Sequence, residues 1–76
     1  MFRQRYYKET EDNLLENRLI HLCENEIGYD TIKFWDVNHK NWIECDNLTG
    51  YKIQKEVQVD GELIFYIYKG ELKDGE

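Results

Sequence analysis

A chain of 76 residues has room for one small domain with one small core, and 41% hydrophobic content with 14% aromatic side chains excludes intrinsic disorder. A formal net charge of −6 disfavours broad phosphate-backbone binding, and no apolar run approaches the roughly 18 residues that span a bilayer. The opening Met1-Phe2-Arg3-Gln4-Arg5 is not followed by the apolar stretch of a secretion signal, so a cytoplasmic single domain over 1–76 is expected.

Residues 1–8 carry Arg3, Arg5 and Lys8 with no carboxylate, interleaved with Phe2, Tyr6 and Tyr7. Residues 2–7 are expected to add a strand to a sheet or to lie across it as an aromatic flap. The next block reverses the sign. Residues 9–30 hold Glu9, Glu11, Asp12, Glu16, Glu24, Glu26 and Asp30 against Arg18 alone, a net of −6. Thr10 is a fitting N-cap, and at about 100° per residue Leu15, Leu19, Ile20, Leu22, Cys23 and Ile27 share one arc, which predicts an amphipathic helix over about 10–27 stopped by Gly28. Leu14 and His21 fall on its far side. Glu9, Glu11 and Asp12 suit the positive end of the helix dipole, whereas Glu16, Glu24 and Asp30 have no such local reason to be acidic.

After Gly28 the pattern alternates, with turn signals at Asn38-His39-Lys40-Asn41, from Asp46-Asn47 to Gly50, and at Asp60-Gly61. Four strands follow, at about 31–37, 42–46, 51–58 and 62–69, connected as an antiparallel meander with the helix packed on one face: an α+β domain. A three-residue turn at Asp60-Gly61 opposes Val57 to Leu63 and Ile53 to Ile67, and gathers Ile53, Val57, Leu63, Phe65 and Ile67 on the core face. A loop over 38–41 adds Ile32, Phe34, Ile43 and Cys45 to that face and sets Lys33 opposite Asp46. The reverse face then carries Trp35, Trp42, Val37, Ile64, Tyr66 and Tyr68, too apolar for an ordinary solvated surface.

Chemistry-bearing motifs are sparse. His21, Cys23, His39 and Cys45 are zinc-ligand types, but His21 and Cys23 two apart on a helix face different ways, so both cysteines read as small core residues. The chain has no serine, and its glycines at 28, 50, 61, 70 and 75 form no phosphate-binding loop. No catalytic, metal or cofactor site is therefore expected, and the chain reads as a non-enzyme.

What remains is a small acidic protein-binding module. Its combination of size, acidity and aromatic content is in the style of inhibitors encoded by phages and mobile elements, some of which imitate nucleic-acid charge to block a basic surface of a host or defence protein. Glu9, Asp12, Glu16 and Glu24 would then supply attraction, and Trp35, Trp42, Tyr66 and Tyr68 the anchors. Two other readings use different surfaces: a homodimeric or assembly protein joined through the aromatic sheet face, or a small regulator touching nucleic acid through Arg3, Arg5, Tyr6 and Tyr7.

Overall fold

The computed structural model describes residues 2–8, 14–15 and 31–72. They form five strands, β1 (Phe2–Tyr6), β2 (Thr31–Asp36), β3 (Asn41–Trp42), β4 (Lys52–Val59) and β5 (Glu62–Tyr68), with one 3-10 turn at Cys45–Asn47. The strands make a single mixed sheet in the order β1-β4-β5-β2-β3. β4 pairs antiparallel with both β1 and β5, β5 pairs parallel with β2, and β2 pairs antiparallel with β3.

This overturns the α+β meander. The meander would have left Glu62–Tyr68, the most apolar strand, on a sheet edge; the observed order places it between β4 and β2, where both of its sides are paired. β3 is two residues long, and after the Ile43 amide bonds to the Phe34 carbonyl at 2.9 Å the chain leaves the ladder for the 3-10 turn. The strand expected over 42–46 therefore ends early and never pairs with β4.

Among the described residues there is no helix of seven or more residues. The helix expected over 10–27 lies outside them except for Leu14 and Leu15; Leu15 is α-helical, but Leu14, in a β-bridge, contradicts the predicted start at residue 10. Leu14 bridges Lys52 in antiparallel fashion, and the Leu15 amide donates to the Tyr51 carbonyl at 2.9 Å. A helix begun at residue 10 would have directed that amide four residues back along its own chain.

At the β4–β5 hairpin the loop is two residues, Asp60 (φ 45°) and Gly61 (φ 87°), both left-handed as the tightest hairpins require. Val59 therefore opposes Glu62 and Val57 opposes Ile64, not Leu63. A bulge between Ile53 and Lys55 absorbs the one-residue offset, so Ile53 still meets Ile67 as expected. Near the hairpin the faces of β4 are consequently exchanged: Val57 joins the reverse face, and Glu56 and Gln58 join the core side.

In the β2–β3 turn Trp35 faces Trp42 and Asp36 faces Asn41, leaving Val37 to Lys40 as the loop. That register differs by two from the predicted one, and a two-residue shift preserves faces, so the tryptophans stay together on the reverse face. Lys33 aligns with Ile64 of β5 instead of opposing Asp46.

The core gathers Leu15, Phe34, Leu48, Tyr51, Ile53, Leu63, Phe65 and Ile67, with Tyr7, Ile32 and Ile43 packed against it. Phe34 and Phe65, opposed across the parallel pair, stack with centroids 5.7 Å apart. Cys45 departs from expectation: it sits in the 3-10 turn as an exposed free thiol, because β3 ends before reaching it. Cys23 lies outside the described residues.

Candidate functional site

Directly opposed residues of neighbouring strands project to the same side of a sheet, so the registers define rows that run across the strands. One row on the reverse face crosses all five: Tyr6 of β1, Lys55 of β4, Tyr66 of β5, Trp35 of β2 and Trp42 of β3. At about 4.8 Å between strands it extends for roughly 19 Å.

The row is internally bonded. Lys55 Nζ lies 4.7 Å from the Tyr66 ring centroid and 5.5 Å from that of Tyr6, a cation placed over two aromatic faces. Trp35 and Trp42 meet edge to face, 4.9 Å apart at 68°. Lys33 Nζ reaches 5.6 Å from the Trp42 ring and forms a 3.1 Å ion pair with Glu62. A parallel row, Gln4, Val57, Ile64 and Lys33, lies alongside, and Phe2 opposes Val59 beyond it.

Exposure is greatest at the two ends. Phe2, Tyr6 and Trp42, the large hydrophobics left most open among the described residues, are 65%, 63% and 55% exposed and all belong to edge strands. The structure thus brings Trp35, Trp42 and Tyr66 together as expected. Tyr68, expected beside them, opposes Lys52 and is buried to 2% exposure. Glu9, Asp12, Glu16 and Glu24 lie outside the described residues. Phe2, Tyr6 and Lys55 were not anticipated as members of the surface. Of the two placements expected for residues 2–7 the strand is the one that forms, which brings Phe2 and Tyr6 to this face, and Lys55 joins them through its pairing with Tyr6 and Tyr66.

A second cluster surrounds Asp36, the only buried charged residue among those described. Its Oδ2 accepts from the Tyr51 hydroxyl at 2.7 Å and contacts His39 Nδ1 at 3.0 Å, while Oδ1 accepts the amides of Asn38 and His39 at 3.1 and 3.2 Å. Burial alone would raise this carboxyl's pKa. The hydrogen bonds from Tyr51 and His39, with the charge of His39, outweigh burial and hold it below the usual 3.8. Burial and the adjacent carboxylate push the Tyr51 hydroxyl up to about 12. The cluster secures the Val37–Lys40 turn, where the Lys40 amide bonds to the Asp36 carbonyl at 2.8 Å and Lys40 takes φ 54°. Among the described residues no group of three or more His, Cys, Asp or Glu side chains could hold a metal ion, and no helix is long and apolar enough to cross a membrane.

Comparison with protein-family models, with curated proteins and with solved structures returned no match for this chain.

Proposed function

We propose that this chain is a protein-binding module of the cytoplasm and that its working surface is the reverse face of the sheet. The observation that carries this reading is the five-strand row from Tyr6 to Trp42, whose end members are more than half exposed. Rigid aromatic side chains on paired strands offer large contact area at little entropic cost, which is why such residues dominate the energetics of protein interfaces.

The same geometry favours a protein over a nucleic acid. Phosphate binding draws its affinity from cations that can neutralise phosphates. On this face Lys55 is engaged with Tyr66 and Tyr6, and Lys33 with Glu62. The described residues as a whole carry eight Lys and Arg side chains against seven Asp and Glu, so the sheet presents no strong positive field.

The test compares capture of partners from extract by the immobilised wild-type chain and by Trp42→Ala and Tyr6→Ala, with folding of each variant monitored by thermal melting. A discrete protein retained by the wild type and lost by both folded variants supports the reading. Identical capture by all three, or a wild-type chain that buries Trp42 in a stable homodimer by sedimentation, refutes it.

A further inference from the structure

We propose that the outer edge of β1 is a strand-addition site for an extended peptide segment that alternates acidic with apolar side chains; this rests on the protein-binding reading and names the partner's chemistry.

β1 ends the sheet, and all five of its residues are exposed. The Tyr7 amide bonds inward to the Gln54 carbonyl at 2.9 Å. In an antiparallel ladder inward and outward residues alternate, so Arg3 and Arg5 also bond toward β4, and the amides and carbonyls of Phe2, Gln4 and Tyr6 point away from the sheet. Those outward groups form a ladder ready for a sixth strand.

The side chains along this edge specify what such a strand must carry. On the aromatic face it would lie beside Phe2 and Tyr6, the two most exposed large hydrophobics among the described residues. On the other face it would lie beside Arg3 and Arg5, which with Gln4, Glu56 and Gln58 line a groove of about 290 Å³. Arg3 has no ion-pair partner among the described residues, and Arg5, whose guanidinium lies 5.0 Å from the Tyr7 ring centroid, has for an ion pair only a 3.9 Å contact to Glu56, whose Oε1 already accepts the Tyr7 hydroxyl at 2.7 Å. The guanidiniums thus retain donors for carboxylates two residues apart on an incoming strand, while the residues flanking that pair meet Phe2 and Tyr6 and the one between them meets Gln4.

Charge also excludes the commonest competitor at a free edge, a second copy of β1. In the antiparallel registers that keep both aromatic faces on one side, an arginine of one copy faces an arginine of the other, and like charges directly opposed are destabilising. The edge repels itself and attracts an acidic strand.

The probe is a fluorescein-labelled heptapeptide alternating glutamate with valine, titrated with the full chain and read by anisotropy at an ionic strength of about 0.15 M. Saturable binding is expected, weakened about tenfold or more by Gln4→Pro, which removes an outward amide, and by combined Arg3→Glu and Arg5→Glu. A peptide N-methylated at alternate residues should fail to bind the unaltered protein, which keeps the test decisive if Gln4→Pro does not fold. Absence of saturable binding, equal binding of the N-methylated or lysine-substituted peptide, a β1-dependent dimer, or tighter arginine-dependent binding of a thymidine decanucleotide would each overturn the proposal. If peptide binding fails while Trp42-dependent capture of a protein persists, the edge site is wrong and the aromatic-face reading stands.

Discussion

The Tyr51 hydroxyl donates to Asp36 Oδ2 at 2.7 Å, joining the last residue of β2 to the residue that precedes β4. These strands flank β5 and never pair with each other, so the bond ties together two segments that the sheet itself leaves apart. Tyr51→Phe leaves a buried carboxylate short of its closest donor. Because hydrogen bonds to charged groups are the stronger class, a loss of about 1.5–3 kcal/mol is expected, measured by urea unfolding.

The same pair shapes the pH profile with opposite signs. Asp36 titrates below its usual 3.8 when folded, so its stabilising contribution is present above that value and lost as acid carries the pH down through the folded pKa. Tyr51 is raised from 10.0 to about 12, so its contribution is complete below pH 10 and lost as the pH climbs toward 12. Phenolate absorbance should show a step near 12 that Tyr51→Phe abolishes. A folded wild type with no step near 12, or a step that persists in Tyr51→Phe, would contradict this assignment.

Alternation in the sequence located four of the five strands and kept Trp35 and Trp42 on one face, because the faces of a strand depend only on parity. Strand neighbours depend on long-range competition for pairing, which alternation does not encode, and so the parallel β2–β5 pair was invisible. Thr10 and the leucine period signalled a helix from residue 10, but local pattern cannot register that Leu14 bridges Lys52 of β4 and that the Leu15 amide bonds to the Tyr51 carbonyl just before that strand. Three of the five residues in the row were legible for the same reason: Trp35, Trp42 and Tyr66 follow from parity, whereas Tyr6 and Lys55 enter only through the β1–β4 register.

Gly61 decides the hairpin register. At φ 87° an alanine is strained, and Gly61→Ala is expected to destabilise the fold by about 1–2 kcal/mol. A three-residue turn would relieve the strain but would slide Val57 opposite Leu63 and conflict with the Val57–Ile64 pairing. Denaturant unfolding gives the magnitude, and cross-strand amide contacts between Val57 and Ile64 in NMR spectra check that the register persists.

Cys45 tests the early end of β3. An exposed thiol on a 3-10 turn should react with a disulfide reagent in the native state at a rate close to that of the unfolded chain. Cys45→Ser should remove that reaction. Protection of Cys45 until global unfolding would restore the longer strand, with the thiol in the core.

Trp42 separates folding from binding most cleanly. It is 55% exposed on a two-residue edge strand, and its principal described contacts are the edge-to-face ring of Trp35 at 4.9 Å and the Lys33 ammonium at 5.6 Å. An aromatic pair contributes about 0.5–1.5 kcal/mol beyond area burial, so Trp42→Ala should lower stability by an amount of that order and leave the sheet intact. Truncating an interface anchor costs about 2 kcal/mol or more of binding, a loss of roughly thirtyfold in affinity. Lys33→Met keeps an apolar stem beside Trp42 while removing the cation and the Glu62 ion pair, and its effect on partner affinity should be smaller than that of Trp42→Ala. Isothermal titration with the captured partner decides the matter: equal losses for the two variants would mean that charge, rather than aromatic area, carries the interface.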